Sequence, residues 1–405
     1  MSTKHTIERL GHRGDGIAMG PVFAPGTLPG EEITGTLTGD RLSDIKIVTP
    51  SADRVRPPCP HFKACGGCSL QHASDEFLAK WKAQTVRDAL SPHGLDAPIR
   101  HTITSPARSR RRATLSGRRT KKGALVGLHA RASGAIVEIP ECQLLHPDLI
   151  AIIPALQALT ITGASRKGEV SFALTRSDAG VDVAVTDAKP LDGELRVKLA
   201  AFANRYDLAR LSWGDELIAE CRAPAQTIGV AKVSPPAGAF LQATEQGQNA
   251  LVAAVKEAMG SAKSIVDLFA GCGTFALPLS QNSEIHAVED DADMLAALDA
   301  GWRHAQGLKK ITCETRDLFR RPLLAAELKK VDAVVIDPPR AGAEAQISEL
   351  AKGSTTIAMV SCNPTTFARD AHILCNADYT IQWIDIIDQF RWSPHVELVA
   401  LLSKK

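Results

Sequence analysis

Cys362 is the residue of this chain with the clearest potential to act as a nucleophile. It follows an apolar run, residues 356–360, that predicts a buried strand, and it precedes a predicted helix over residues 365–374. A thiol at the carboxyl end of a strand that faces the N-terminus of a helix can have a lowered pKa. Because most free cysteines are simply packed as small apolar groups, the position alone leaves both interpretations open.

Four other cysteines have the spacing of a metal site. Cys59, Cys65 and Cys68 lie in one short segment, and Cys142 lies far downstream. Four thiolates can hold either a 4Fe–4S cluster or a structural zinc ion. Zinc sites more often show two pairs of closely spaced cysteines. Three clustered cysteines and a distant fourth therefore favour the iron–sulfur cluster, with zinc as the alternative.

A glycine-rich turn predicts a cofactor site. The predicted strand over residues 264–269 runs into Gly271 and Gly273, and glycines let the backbone approach a ligand closely. The next strand ends at Glu289, which is placed to accept hydrogen bonds from ribose hydroxyls, and a third is followed by Asp317, which suits an adenine amino group. Together these features resemble the S-adenosylmethionine site of Rossmann-like methyltransferases. An NAD enzyme or a nonfunctional α/β domain is the alternative.

The fourth predicted strand, residues 331–336, ends in an acidic motif: Asp337, two prolines and Arg340. The prolines fix the backbone after a carboxylate at the edge where ligands bind. Enzymes that methylate amino groups of nucleic acids carry a similar motif that ends in an aromatic residue. Because Arg340 stands there instead and the next strand supplies Cys362, the combination points to carbon methylation of a pyrimidine.

Carbon methylation of uracil explains why a thiol would be needed. C5 of uracil is a poor nucleophile, but addition of a thiolate to C6 turns the ring into an enolate whose C5 can attack a methyl sulfonium. Such covalent catalysis splits one hard step into easier ones. A general base must then remove the C5 proton before the thiolate is eliminated. Glu397 and His395 are the candidates, and the residues alone do not rank one above the other.

The sequence resembles the bacterial RNA (uracil-5) methyltransferase family over nearly the whole chain. The matching segments are 240–242, 267–275, Glu289, Asp317, 337–340, 361–364, 368–370 and 395–397. The resemblance implies Cys362 as the nucleophile and Glu397 as the base. It also implies a cofactor and uracil pocket lined by Gln242, Phe269, Thr274, Glu289, Asp317 and Asp337. Two departures flank matched residues: Ala243–Thr244 replaces the usual Val-Asn, and Arg391–Trp392 precedes the last motif.

Two features of the resemblance point to one branch of the family. Residues 1–49 resemble the small RNA-binding β-barrel called the TRAM domain, and some members carry a 4Fe–4S cluster on cysteines spaced as here. The branch that methylates tRNA generally lacks both features. The resemblance therefore implies the 23S rRNA-type branch, with a tRNA uracil-5 methyltransferase as the alternative.

The pattern of predicted elements divides the chain into four parts. Residues 1–49 predict a TRAM-like barrel, and residues 50–95 carry the iron–sulfur cysteine loop and a helix. Residues 96–235 predict a β-rich RNA-binding region with the fourth cluster cysteine, and residues 236–405 predict the methyltransferase domain through alternating helices and strands. The predicted fold class is α/β, with a Rossmann-like class I methyltransferase domain behind the barrel and the central region.

Positive charge is concentrated in one stretch of a chain whose net charge is only +2. Residues 97–137 contain ten Arg or Lys and no Asp or Glu. We expect Arg108–Lys122 to contact RNA phosphates, which position a substrate without specifying it; a solvated basic hairpin is the alternative. The target uridine must be splayed out of its stack, and Phe390 and Trp392 are the candidates to stack on it.

We expect a cytoplasmic enzyme that uses S-adenosylmethionine on RNA, without membrane association or an obligate protein partner. No apolar run is long enough to span a bilayer, and no apolar segment typical of a signal peptide follows Met1. Two other functions stay open. An enzyme that methylates amino groups or small molecules would not need Cys362, and a noncatalytic iron–sulfur protein would bind RNA without methylating it.

Overall fold

The computed structural model describes residues 3–165 and 168–404. Met1, Ser2 and Lys405, at the ends of the first and last predicted parts, lie outside the described residues, as does the pair 166–167. In the described part of the chain, no helix is both long and apolar enough to cross a membrane.

The first five strands close into a small barrel. They are β1 (Thr3–Leu10), β2 (Gly16–Ala18), β3 (Val22–Ala24), β4 (Glu32–Thr38) and β5 (Arg41–Thr49). They pair in the order β1-β2-β3-β5-β4, and β4 closes the barrel on β1. Ile7 and Ile33 fill the interior, because alternate side chains of a strand point inward. Gly16 leaves room for this core, since an added Cβ would lie 2.1 Å from Thr27 Oγ1.

Helix α1 (Asp75–Leu90) joins the cysteine segment to the large sheet. It begins at Ser74, whose Oγ accepts a hydrogen bond from Phe77 N at 3.2 Å and so caps the first turn. A 3-10 turn (Ser91–His93) follows, and then β6 (Ile99–Thr104). Strand β6 pairs in parallel with a strand near the end of the chain, so the large sheet is not built from the C-terminal part alone.

A seven-stranded sheet forms the middle of the molecule. Its strands are β7 (Arg112–Arg119), β8 (Ala124–His129), β9 (Ile136–Val137), β10 (Glu169–Ser177), β11 (Gly180–Thr186), β12 (Arg210–Trp213) and β13 (Glu216–Glu220). The helices are α2 (Pro147–Ala151), α3 (Ile153–Gly163) and α4 (Gly193–Arg205). The strand order is β13-β12-β11-β10-β7-β8-β9. Leu115 and Phe172 lie in its core, and the same core includes Cys65, Cys68 and Cys142.

The C-terminal part forms an eight-stranded sheet. Its strands, beside β6, are β16 (Ser264–Leu268), β17 (Glu284–Glu289), β18 (Ile311–Thr315), β19 (Ala333–Ile336), β20 (Thr356–Ser361), β21 (Tyr379–Asp388) and β22 (Leu398–Lys404). The hairpin β14 (Gln226–Ile228) and β15 (Ala231–Val233) precedes it, and its helices are α5 (Glu245–Met259), α6 (Ala276–Leu279), α7 (Ala292–His304), α8 (Glu344–Leu350) and α9 (Pro364–Cys375).

The strand order of this large sheet explains where a ligand can bind. The order is β18-β17-β16-β19-β20-β22-β21-β6. Strands β16 to β20 are mutually parallel, whereas β22 runs antiparallel to β20 and β21. Every residue of β19 is buried, as expected for a parallel strand with helices on both faces. The carboxyl ends of the parallel strands meet at one edge, which is where open α/β sheets bind ligands.

Candidate active site

Four neighbouring strands bring most of the predicted cofactor residues to this edge. Phe269, the glycine turn and the half-buried Thr274 follow β16, Glu289 ends β17, Asp317 follows β18, and Asp337 follows β19. These strands are adjacent in the order β18-β17-β16-β19. The motifs that are far apart in the sequence are therefore side by side along the sheet.

The turn after β16 has the backbone of a ligand cradle. Phe269, Gly271 and Gly273 have φ of 61°, 54° and 90°, the left-handed region that is costly for a residue with a side chain. A Cβ at Gly273 would lie 2.8 Å from Leu298 Cγ. Glu289 Oε2 accepts a hydrogen bond from Gly271 N at 3.0 Å, so the carboxylate is fixed to the turn.

Phe319, which pairs with the predicted pocket residue Phe269 beside Asp317, was not predicted from the sequence. Asp317 Oδ1 accepts hydrogen bonds from Phe319 N at 2.9 Å and Arg320 N at 3.2 Å. The Phe319 ring is 49% exposed, and its centroid lies 5.5 Å from that of Phe269. This exposed ring gives a flat apolar surface next to a carboxylate, which suits a purine. The only sequence signal was an aromatic residue two positions after Asp317.

Cys362 lies directly after β20 and is half-buried. Burial raises the pKa of its thiol to about 11, and the charges of Glu397 and Asp337 add to this effect, while Arg340 opposes it. The expectation of a lowered pKa is therefore wrong for the free protein. The helix that follows is capped by Asn363, whose Oδ1 accepts a hydrogen bond from Thr365 N at 3.1 Å, so this N–H is not free for the thiolate.

Glu397, just before β22, is 4% exposed. Burial raises its pKa to about 8, and the charge of Asp337 contributes, whereas a hydrogen bond from Gln389 Nε2 to Glu397 Oε2 lowers it. His395 is exposed, and its ring meets Phe390 edge-on at 5.5 Å. Of the two candidate bases, Glu397 is the one whose charge acts most strongly on the Cys362 thiol.

Two buried polar side chains at this edge were not assigned a role from the sequence. Asp267 in β16 is fully buried, and neither of its carboxylate oxygens makes a hydrogen bond of ordinary geometry with a described residue, although the Ala276 backbone is close enough to lower its pKa. Burial raises its pKa well above the usual value, and the charge of Asp337 adds to this. Gln389 is 1% exposed, and its Nε2 donates to Gln242 Oε1 at 2.5 Å as well as to Glu397. Sequence periodicity predicts neither the burial of Asp267 nor the hydrogen bonds of Gln389.

Comparisons with known proteins agree with this geometry. A family model described as tRNA (uracil-5-)-methyltransferase matches residues 303–405. An uncharacterized RNA methyltransferase of Mesorhizobium japonicum is 43% identical over 100% of this chain and 98% of its own length. The 23S rRNA (uracil(1939)-C(5))-methyltransferase RlmD of Shewanella halifaxensis is 32% identical over 98% of this chain and 95% of its own length. The chain belongs to the RNA (uracil-5) methyltransferase family.

A solved structure supports the fold of this family member. The Pyrococcus abyssi tRNA (uracil-54, C5)-methyltransferase, in complex with S-adenosyl-L-homocysteine, matches with a TM-score of 0.78 at 22% identity, over 98% of this chain and 99% of that one. The predicted fold class, with its N-terminal five-stranded barrel and Rossmann-like sheet, is confirmed. The predicted family and the class of enzyme, an S-adenosylmethionine-dependent RNA methyltransferase, are confirmed as well.

A large groove leads to Cys362 in this methyltransferase. Its volume is about 1260 Å³, and its walls come from the barrel, α1, β6 and the loops after β19 and β20. The basic residues among those lining it are Arg9, Arg13, Lys80, Arg87, Arg100 and Arg340. Cys362 and His395 line the same groove. The sequence did not single out the arginines of the barrel, because they lie far from the basic stretch.

The basic stretch itself is partly internal. Arg111 is 5% exposed, and burial lowers its pKa to about 10. Its Nη2 donates to Gln248 Oε1 at 2.7 Å, and its Nε donates to Gln242 O at 3.1 Å. Arg112 Nη1 donates to Leu241 O at 2.7 Å. The prediction that Arg108–Lys122 contacts phosphates is therefore wrong for Arg111. This residue instead links Gln242 and Gln248 to the central sheet.

Trp392 also has a different position from the one expected. It is 4% exposed and packs in the core of the central region, next to the cysteine segment. Ser69 N and Leu70 N each donate to Trp392 O at 3.0 Å. Trp392 cannot stack on a base, so this prediction is wrong. Phe390 is partly exposed and lies 5.5 Å from the Arg110 guanidinium.

The four predicted metal ligands are all buried and lie in one region. Burial raises the pKa of the Cys65 thiol, and the charges of Cys142 and Cys59 raise it further. Burial raises the pKa of Cys68 to about 12, again with contributions from the other three thiols. Yet within residues 3–165 and 168–404, no three His, Cys, Asp or Glu side chains are arranged to hold a metal ion. The thiols converge without forming a site for a single ion.

Proposed function

We propose that the enzyme methylates C5 of one uridine in 23S rRNA through a covalent bond between Cys362 and C6 of the uracil. The observation that carries the proposal is that Glu397 and Asp337 lie close enough for their charges to act on the Cys362 thiol, which itself lines the groove. A nucleophile and a buried base beside one cavity are what this chemistry requires. A uridine in tRNA is the alternative substrate.

Cys362 supplies the attacking sulfur. Its thiol is protonated in the free enzyme at neutral pH, because its pKa is raised to about 11, so it must lose its proton as the uracil binds. Asp337, one of the carboxylates whose charge acts on this thiol, takes its proton, which leaves Glu397 free for the later C5 proton, and Arg340 stabilises the thiolate. The thiolate adds to C6, and the electron pair of the C5–C6 bond moves toward C5 and O4. Bound S-adenosylmethionine supplies the methyl group that C5 takes.

Glu397 removes the C5 proton after the transfer. A carboxylate whose pKa is raised to about 8 is a stronger base than an ordinary glutamate once it has lost its own proton. Loss of this proton restores the C5–C6 double bond, the bond from C6 to sulfur breaks, and Cys362 leaves as a thiolate. We favour Glu397 over His395 because it is buried with the reacting groups, whereas His395 is exposed.

The edge of β16 to β19 is the proposed cofactor pocket. The residues that would hold S-adenosylmethionine are Gln242, Phe269, Gly271, Gly273, Thr274, Glu289, Asp317 and Asp337. The fit rests on the left-handed turn, in which a side chain at Gly273 would clash. It rests also on Asp267, a buried carboxylate that makes no hydrogen bond of ordinary geometry with a described residue and could accept one from a ligand or its water.

The groove between the barrel and α1 is the proposed path of the RNA. Arg9, Arg13 and Arg87 are exposed and can neutralise phosphates along this path. A single uridine would turn out of its stack to reach Cys362, since C5 and C6 are shielded inside a helix. The 32% identity to a 23S rRNA methyltransferase supports ribosomal RNA as the substrate.

We also propose that Cys59, Cys65, Cys68 and Cys142 hold a 4Fe–4S cluster. Each thiolate of such a cluster binds a different iron, so the ligands surround the cluster instead of touching one ion. The other three buried thiols lie close enough for their charges to act on Cys68, and the spacing of three clustered cysteines and a distant fourth is the reason to prefer the cluster to zinc. Its role would be structural, because the thiols lie in the core of the central region.

We keep the four-part division as a proposal. Residues 1–49 form a TRAM-like RNA-binding barrel, 50–95 the cysteine loop and helix, 96–235 the central region and 236–405 the methyltransferase domain. One strand crosses these boundaries, because β6 of the third part pairs with β21 and so belongs to the methyltransferase sheet. An enzyme that acts on ribosomal RNA would work in the cytoplasm.

The reaction is tested with labelled S-adenosylmethionine and unmodified RNA. We expect the wild type to label RNA as 5-methyluridine and Cys362→Ala to lose turnover. Cys221→Ala, which changes an exposed thiol, is the matched control and should keep full activity. If Cys362→Ala turned over normally, the covalent route would be wrong. RNA binding without methyl transfer by the wild type would favour a noncatalytic protein.

The substrate is tested by mass-spectrometric mapping of 5-methyluridine in cells with and without the gene. We expect one 23S rRNA uridine to lose its methyl group and transfer RNA to keep its modifications. Loss in tRNA alone would make the alternative correct. For the metal, anaerobic purification should give a brown protein with iron and acid-labile sulfide, whereas a colourless protein with one equivalent of zinc would exclude the cluster.

A further inference from the structure

We infer that Gln389 is a positioning residue whose single side-chain amide orients both Glu397, the proposed base, and Gln242 in the proposed cofactor pocket. This inference rests on the proposed function, which gives Glu397 and Gln242 their roles. Gln389 lies at the end of β21, eight residues before Glu397 and 147 residues after Gln242. Its amide is the element that connects the proposed base with the proposed cofactor pocket.

The direction of the Gln389 amide follows from one backbone group. Ala243 N donates to Gln389 Oε1 at 2.6 Å. A backbone N–H can only donate, so the oxygen of the amide must face Ala243, and the nitrogen must face the other way. That nitrogen has two hydrogens, which are donated to Glu397 Oε2 and to Gln242 Oε1, the latter at 2.5 Å. Every polar atom of this buried amide is thereby used.

The same contact decides which side Gln242 presents to a ligand. Its amide oxygen accepts from Gln389, so its amide nitrogen points away from Gln389. Gln242 therefore offers donor hydrogens to the pocket. Such a group selects an acceptor, a carboxylate or carbonyl oxygen, and disfavours a donor in the same place.

Packing keeps Gln389 in this orientation. Gln389 is 1% exposed, and Gly247 of α5 packs against one side of it. A Cβ at Gly247 would lie 2.6 Å from Gln389 Cβ and 3.2 Å from its Oε1. The missing side chain at position 247 makes the room that the amide occupies. A small change there would push the amide away from its partners.

The contact also has an electrostatic consequence. Burial and the charge of Asp337 make ionisation of Glu397 costly, and the Gln389 hydrogen bond opposes both by lowering its pKa. Without Gln389, Glu397 would stay protonated to a higher pH, and its carboxylate would no longer be held in a fixed orientation. The step that suffers is removal of the C5 proton, which comes after methyl transfer.

The test uses Gln389→Met, which keeps the length of the side chain and removes its hydrogen bonds. We expect turnover to fall by at least about tenfold, because small displacements of catalytic groups cost this much. The covalent enzyme–RNA complex should accumulate after methyl transfer, and the pH at which turnover reaches half its maximum should rise. Gln382→Met, at an exposed position of β21, is the control and should behave as the wild type.

Gly247→Ala supplies a second variant if Gln389→Met does not fold, and it should give the same accumulated complex. The inference would be overturned if Gln389→Met showed the wild-type pH profile without accumulated complex, or if it lost methyl transfer and proton removal equally. Failure of the proposed function looks different. In that case the wild type forms no covalent complex even with RNA that contains 5-fluorouridine, whichever residue stands at position 389.

Discussion

Lys82 and Asp388 form an ion pair that solvent does not reach, with Lys82 Nζ 2.6 Å from Asp388 Oδ1 and side-chain exposures of 0% and 2%. Burial lowers the pKa of Lys82 and raises that of Asp388, and their mutual attraction opposes both shifts. Lys82 Nζ also donates to Phe390 O at 3.4 Å. The pair fastens α1 to the loop that carries Gln389 and leads to Glu397.

Removal of one partner of this pair should be costly. Lys82→Met leaves the Asp388 carboxylate buried without its cation, and we expect the free energy of unfolding to fall by about 3–5 kcal/mol. Turnover should fall too, because the loop before Glu397 loses its anchor. Urea denaturation and initial rates measure the two effects.

The double variant Lys82→Met/Asp388→Leu is the control for this prediction. It removes both charges, and buried ion pairs can often be replaced by apolar side chains at little cost. We therefore expect it to be more stable than Lys82→Met. Equal or lower stability of the double variant would show that the pair is not held by mutual neutralisation.

Trp392 should contribute strongly to stability through packing. Trp392→Ala would leave a cavity in the core that also contains Cys68 and Leu70, with an expected loss of about 3–5 kcal/mol. Val197→Ala, at a position that is 70% exposed, should change stability by less than about 0.5 kcal/mol. Thermal unfolding of both variants gives the comparison, and a small effect of Trp392→Ala would mean that the core closes around the gap.

Glu397 should make the protein less stable as pH rises. Its pKa is raised from 4.5 to about 8 in the folded state, so the folded protein holds this proton over a range in which the unfolded chain has released it. The contribution to stability is complete below pH 4.5 and is lost as pH rises to about 8. Glu397→Gln cannot ionise, and its melting temperature relative to wild type should increase between pH 6 and pH 8.5.

Glu220→Gln serves as the reference for this pH dependence, since Glu220 is an exposed carboxylate on β13. Its difference from the wild type should be the same at both pH values. A constant difference for Glu397→Gln as well would mean that Glu397 ionises in the folded protein as it does in the unfolded chain.

The groove arginines should determine how strongly salt weakens RNA binding. Each phosphate contact that is removed reduces the slope of log affinity against log salt by about 0.7–0.9. We expect this reduction for Arg13→Gln, whose side chain lines the groove. Arg205→Gln, at an exposed position of α4 outside the groove lining, should leave the slope unchanged. An unchanged slope for Arg13→Gln would place the RNA elsewhere.

The sequence predicts the part of the site that depends on local pattern. The strands before Glu289, Asp337 and Cys362 were visible as apolar runs, and parallel strands must end at one edge. The pattern of predicted elements in residues 1–49 also indicated the small barrel. These features depend on residues that are neighbours in the chain or in one βαβ unit.

The sequence does not predict the contacts that depend on burial between distant segments. Lys82 and Asp388 are 306 positions apart in the sequence, and periodicity alone would place a lysine on the surface. The basic stretch predicts that Arg111 contacts phosphate, and only the structure shows that it instead bonds Gln242 and Gln248. The pKa of Cys362 also depends on Glu397 and Asp337, which reach it from other strands.

The central claim, a covalent bond from Cys362 to uracil, is tested most directly with RNA that contains 5-fluorouridine. Fluorine at C5 leaves no proton for Glu397 to remove after methyl transfer, so the bond from sulfur to C6 should persist. We predict a stable protein–RNA complex that contains the transferred methyl group, with the modified peptide mapped by mass spectrometry to Cys362 and no complex for Cys362→Ala. A methylated RNA product without any covalent complex, or a complex mapped to another residue, would contradict the mechanism.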